Sequence, residues 1–261
     1  LIESEAFYAG CDARGIMVWQ EFAQSSSSLH NAPTENPAFV ELMRREAAAI
    51  VPLRRTHPSL VLWCGGNELM DEADRPLDED APVLGALATV VAELDPDRPF
   101  LPTSPSGRVA HNTLEAIGRD PDGLHDVHGP WEHQGLEEQH TLAEATTSLL
   151  HSEFGVEGMT NLPALRATVT DAQRWGADRS DPVMAHRGAW WNNEPLVQAT
   201  FGGGITDLPA LVRASQYLQA SGLRYGIEAN RRRQWRSSGV VPNMANSVGF
   251  QPHTMFRPAR P

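Results

Sequence analysis

Short apolar runs alternate along the chain with stretches of helical periodicity, and this alternation restricts the fold more than any other feature of the sequence. A run of four or five apolar residues is the pattern of a strand buried on both faces, and such strands separated by helices build a parallel sheet with helices packed against it. Phe7 and Cys11 share one helical face, Gly15 is a stop, and residues 16–19 read as a buried strand. The four serines at 25–28 begin a loop. Asn36 before Pro37 starts a helix whose stripe is Phe39, Leu42, Met43, Glu46, Ala47 and Ile50, and Pro52 is expected to kink or end it. Leu60 to Cys64 is the next strand. Gly65 and Gly66 allow a sharp turn that sets Asn67 and Glu68 at the strand's rim. A helix over 82–94 is broken by Asp95, Pro96, Asp97 and Pro99 ahead of a short strand at 100–103. Residues 125–131 form a strand with its aromatic end exposed, 148–151 lead to Glu153, and a last long helix starts at Asp207 or Pro209, carries Leu211, Ala214, Leu218 and Tyr225, and runs towards Trp235. No internal repeat is present. A chain of 261 residues can bury a full core as one domain of barrel or open-sheet type.

Two carboxylates stand out against this frame: Glu68 in LVLWCGGNE and Glu153 in TSLLHSEFG, each at the end of an apolar run. The C-terminal ends of strands in a parallel α/β barrel are where catalytic groups gather, because the loops there vary while the strands stay fixed. Cleavage of a glycosidic bond with retention needs one carboxyl to protonate the leaving oxygen and a second, about 5 Å away, to attack the anomeric carbon.

Charge and composition exclude several alternatives. The formal net charge of −12 disfavours nucleic acid and anionic membrane as partners, both of which are bound through clustered cations. A neutral small saccharide fits better. Arg231, Arg232, Arg233 and Arg236 form the one basic cluster, at a predicted helix end where they oppose the helix dipole. Lysine is absent altogether, so Schiff-base and pyridoxal phosphate chemistry are excluded. No cofactor is implied. Cys11 and Cys64 lack the dense spacing of a disulfide scaffold and read as reduced, structural residues. No apolar run approaches membrane length. A cytoplasmic location is expected, with secretion left open because the sequence starts inside a predicted helix.

The segments VWQEF at 18–22, HPSLVLWCGGNE at 57–68, DPDRPFLPTSP at 95–105, DVHGPW at 126–131 and SEFG at 152–155 resemble glycoside hydrolase family 2, in the family's order and over about residues 1–240. The closest likeness is to β-mannosidase-type members. The resemblance implies an α/β fold, an incomplete (β/α)8 barrel holding roughly strands three to seven or eight, with the acid/base ending strand four and the nucleophile ending strand seven. Matched by motif, these are Glu68 and Glu153. Asn67 would bond the sugar's 2-hydroxyl, an interaction that strengthens as the ring gains oxocarbenium character. The implied activity is that of a retaining exo-glycosidase acting on terminal β-linked sugars, with β-mannosides first and β-galactosidase, β-glucuronidase or exo-glucosaminidase specificity as variants of the same plan. Glu68 must be protonated for the first step and act as base in the second, while Glu153 must be ionised.

Other residues carry weaker assignments. Trp19 and Trp131 are candidate sugar-stacking residues beside a core reading for each, Trp63 reads as core, and Trp190 and Trp191 in the loop AWWNN read as exposed, with Trp190 a candidate rim aromatic at a saccharide site. His128 suits a hydroxyl-binding role. His125, Asp126, His128 and His133 invite a metal reading but have no recognised ligand spacing, so no metal is assigned. Glu21 is a substrate contact or an arginine partner. Residues 1–240 are expected to form the partial barrel and 241–261 an irregular tail, with three prolines in residues 243–261, as a truncated or shifted reading frame would give. Family members carry β-sandwich domains and two barrel strands ahead of this segment, so further chain segments or another subunit are expected to complete the barrel. Two other classes stand beside the glycosidase: a carbohydrate-binding or structural fragment without catalysis, and a metal-dependent hydrolase built on the histidines.

Overall fold

The structure, a computed structural model, describes residues 2–26, 31–168, 193–202, 205, 207–242 and 253–254. They fall into two units, the first of residues 1–110 with 123–127 and the second of residues 111–122 with 128–261.

In the first unit, helix α1 (Glu5–Asp12) ends in a turn that outlasts the helix. Gly15 takes a left-handed φ of 64°, and Ile16 N–H reaches back to the Cys11 carbonyl at 3.0 Å. Strand β1 (Val18–Glu21) therefore starts two residues later than the apolar run suggests, and Ile16 and Met17 are exposed. β1 pairs in parallel with β2 (Leu60–Cys64), and β2 with β3 (Phe100–Leu101). Between β1 and β2 lies α2 (Pro37–Arg54), whose N-cap Asn36 accepts from Ala38 N–H at 2.9 Å. Its buried stripe is Met43, Ala47 and Val51, narrower than expected, with Leu42 and Glu46 exposed. Pro52 does not end α2 there. It sits in the last turn, where the missing N–H forfeits a single bond and Arg55 N–H still reaches the Val51 carbonyl at 2.9 Å. Helix α3 (Pro82–Leu94) buries Val83, Leu84, Leu87, Val90 and Val91 in one core with α2, Tyr8, Phe22 and Trp63. β4 (Ser106–Gly107) runs antiparallel to β5 (Leu124–His128).

The segment that breaks the chain after α3 ties β2 down. Trp63 Nε1–H donates to Asp95 Oδ2 at 2.8 Å, Arg98 bonds both Asp95 oxygens, and the same guanidinium donates to the carbonyls of Leu60 and His57. Trp63 is fully buried and is core, as expected.

The second unit contains α4 (Leu114–Arg119), α5 (Glu138–Ala145), β6 (Leu150–Phe154), β7 (Gly158–Met159), α6 (Leu162–Thr168), α7 (Glu194–Phe201), α8 (Leu208–Arg232), β8 (Gly239–Pro242) and β9 (His253–Thr254). β6 pairs in parallel with β8, and β7 antiparallel with β9. Asp207 caps α8 by accepting from Ala210 N–H at 2.7 Å. Leu211, Val212 and Leu218 of α8 pack with Met159, Leu165 and Val197, and Leu223 packs with Phe154 and Val156. The helix stops at Arg232, short of the exposed Trp235. Its last turn holds Arg231 and Arg232, and Arg232 pairs with Glu144 while lying 5.3 Å over the Tyr225 ring, so this part of the basic cluster has structural partners. Parallel strands separated by helices recur in both units. Cys11 and Cys64 are free and buried, and among the described residues no helix is long and apolar enough to cross a membrane.

Candidate active site

Beyond β2 the backbone of Asn67 is held on both sides. Its N–H donates to the Gln24 carbonyl at 3.0 Å, its carbonyl accepts from Ser26 N–H at 2.9 Å, and isolated parallel bridges link it to Ser25 and Ser104. Such support fixes the backbone from which the Asn67 side chain projects. The two glycines before it are needed for space. A Cβ on Gly65 would lie 2.2 Å from the Pro102 carbonyl oxygen, and one on Gly66 2.8 Å from Gln24 Cβ. Glu68 takes a φ of 54°, a left-handed conformation that is uncommon away from glycine, and its N–H donates to the Ser104 carbonyl at 2.6 Å. Ser26 Oγ lies 3.1 Å from Glu68 Oε2, and Asn67 Nδ2 lies 3.4 Å from Ser25 Oγ. The serine loop thus supplies partners for both rim residues. Ser104 Oγ in turn donates to Asp126 Oδ2 at 2.8 Å, with both residues buried.

Trp19 and Glu21 alternate with the buried Val18 and Gln20, and so share the other face of β1. The Trp19 indole Nε1 is buried and faces the Cys64 thiol. Burial first, and the Glu21 carboxylate after it, push the Cys64 thiol up, which keeps it an inert thiol.

In the second unit Glu153 lies within β6, one residue before its end, rather than after it. The indole Nε1–H of Trp131 donates to Glu153 Oε1 at 2.6 Å, and His128 Nδ1 lies 3.7 Å from Oε2. The turn bearing these partners is pinned to β6. Gly129 N–H donates to the Glu153 carbonyl at 2.7 Å, Gly155 N–H to the Pro130 carbonyl at 3.0 Å, and His151 Nε2 meets the Gly129 carbonyl at 2.7 Å. Because a carbonyl only accepts, Nε2 of His151 carries the proton. Burial, the largest influence, lowers the His151 imidazole to about 4, so it is neutral. Gly129 has a φ of 73°, and a Cβ there would meet the Trp131 ring at 3.1 Å. His128 is 1% exposed, and Trp131 makes an edge contact with His111.

Of the residues singled out from sequence, Trp131 and His128 meet Glu153, and Asn67 adjoins Glu68. Trp190 and Trp191 lie outside the described residues. Of the residues of the metal reading, Asp126 accepts from Ser104, His133 Nδ1 accepts from Gly135 N–H at 3.1 Å, His125 is exposed, and His128 faces Glu153. Ser26 and His151 carry no signal in the sequence, since only the fold brings residues so far apart together.

A family model for the TIM barrel domain of glycosyl hydrolases family 2 matches residues 4–170. The chain belongs to glycoside hydrolase family 2. β-Mannosidase B of Thermothelomyces thermophilus is 31% identical over 175 residues, 60% of this chain and 19% of that protein. β-Mannosidase B of Emericella nidulans is 27% identical over 260 residues, 90% of this chain and 29% of that protein. The crystal structure of β-D-mannosidase from Dictyoglomus thermophilum superimposes with a TM-score of 0.72 at 26% identity, covering 96% of this chain and 30% of that one. The family 2 chain thus spans less than a third of the length of these relatives, and its described α/β elements are part of a (β/α)8 barrel.

Proposed function

We propose that the chain is part of a retaining exo-β-glycosidase whose substrates are β-mannosides. The observation that carries this reading is the setting of Glu153: a carboxylate at a strand end whose one oxygen accepts from an indole N–H at 2.6 Å while the other faces a buried histidine. Indole nitrogen can only donate, which suits a carboxylate that must be ionised to attack. Glu153 would form the glycosyl ester, and Glu68, held by the Ser26 hydroxyl at the end of β2, would protonate the leaving oxygen and then activate water. Asn67 would bond the 2-hydroxyl, with Trp19, Trp131, His128 and Trp190 as further sugar contacts. The likeness to β-mannosidases supports the sugar. Residues 1–240 would be the barrel portion, completed by further chain segments or another subunit.

Incubation with 2-deoxy-2-fluoro-β-mannosyl fluoride, followed by intact mass and peptide mapping, tests this. A single adduct on Glu153, absent from Glu153→Gln, is expected. An adduct on another residue, or none on the folded protein, overturns it.

A further inference from the structure

Between His151 and Phe154 strand β6 advances three residues while its partner β8 advances two, from Val240 to Pro242, so β6 carries a bulge over Ser152 and Glu153. At a bulge the ladder no longer dictates where the extra side chain points, and Glu153 has to be held by other contacts. The turn at 129–131 supplies them. Three bonds stitch it across the bulge: His151 Nε2–H to the Gly129 carbonyl at 2.7 Å, Gly129 N–H to the Glu153 carbonyl at 2.7 Å, and Gly155 N–H to the Pro130 carbonyl at 3.0 Å. Only the first comes from a side chain. It fixes the peptide plane between Gly129 and Pro130, and the Trp131 ring leans on Gly129 itself, where a Cβ would meet it at 3.1 Å. His151 is 4% exposed, with its ring centroid 5.2 Å from that of Phe154. Burial keeps the imidazole neutral, so the donor holds its place without adding charge beside the carboxylate.

We infer that His151 is a positioning residue for Glu153: its imidazole N–H sets the Gly129–Pro130 peptide and through it holds the Trp131 indole N–H on the carboxylate. The inference rests on the glycosidase reading for the role of Glu153, but the contact it assigns is read without turnover.

The side-chain ¹H–¹⁵N resonance of Trp131, assigned by its loss in Trp131→Phe, reports the bond to Glu153, because a hydrogen bond to a carboxylate draws the proton downfield. His151→Gln places an amide N–H where Nε2 stands, and His151→Asn carries the same amide one bond short of it. Both bury an amide in one setting, so a merely structural role predicts the same behaviour from both. The Gln variant should keep the Trp131 resonance and form the fluorosugar adduct on Glu153 within ~3-fold of the wild-type rate. The Asn variant should move the resonance upfield and slow the adduct ~10-fold, the effect of about one hydrogen bond, with the Trp63 indole resonance unmoved in both. An unmoved Trp131 resonance in the Asn variant, or equal slowing in the two variants, overturns the inference. A folded Gln variant that loses the resonance overturns it as well, so the decision does not hang on whether the Asn variant folds. Failure of the glycosidase reading shows separately, as a wild type that gives no adduct on Glu153 while the Gln and Asn variants still differ at the Trp131 resonance.

Discussion

Trp131 and Glu153 are joined by an N–H···O bond of 2.6 Å, and the residue that donates also walls a cleft of about 600 Å³ in the second unit, so one side chain links the carboxylate to the space beside it. Its polar edge serves the carboxylate. Trp131→Phe keeps the aromatic face and removes the donor. A hydrogen bond to a charged group contributes about 1.5–3 kcal/mol, so formation of the fluorosugar adduct on Glu153 should slow by ~10- to 100-fold, read as a pseudo-first-order rate by mass spectrometry.

His151 makes stability depend on pH. Its imidazole titrates at about 4 in the folded chain, below the ordinary histidine value near 6.5 of the unfolded chain. Between those values the unfolded state binds the extra proton. The stabilisation is therefore complete above about pH 6.5, falls as pH drops towards 4, and its loss is complete below that, about 3 kcal/mol in all. Urea unfolding of wild type and His151→Gln across this window should show a steeper loss in the wild type, and parallel curves would contradict it.

Asp95 joins Trp63 and Arg98 beneath the strand that carries Glu68. Replacing it with alanine leaves an indole N–H and a largely buried guanidinium without their acceptor. A loss of about 3 kcal/mol in unfolding free energy is expected by urea denaturation.

Gly65→Ala places a Cβ 2.2 Å from the Pro102 carbonyl oxygen, which is backbone and cannot rotate aside. The strand end must move, at a cost of ~2–4 kcal/mol, seen as a lowered Tm and as slower adduct formation wherever Glu68 is needed.

Much of the local structure was legible. The Asn36-Pro37 and Asp207 caps mark helix starts that the structure keeps, and the five residues from Leu60 form the strand expected of them. Boundaries set by backbone geometry were harder: β1 begins late because the left-handed Gly15 turn draws Ile16 back onto the helix, and Pro52 is tolerated because only one bond is at stake in a last turn. The two carboxylates could be picked out by their motifs, but their partners could not. Ser26 and Glu68 are 42 residues apart, and Trp131 and Glu153 are 22 apart, so nothing in local pattern joins them. The pattern at Gly65 and Gly66 predicts a sharp turn, whereas the structure uses their missing side chains for close approach of Pro102 and Gln24.

The left-handed backbone at Glu68 limits what could ever replace it. Glycine, asparagine and aspartate accept that conformation readily, while valine, isoleucine and threonine resist it. A descendant of this chain that gave up the proposed chemistry and kept its fold would drift first to one of those three permissive residues. Silent cousins should therefore be betrayed by Gly, Asn or Asp at this position, and their scarcity of β-branched residues there would be a fossil of backbone shape rather than of catalysis.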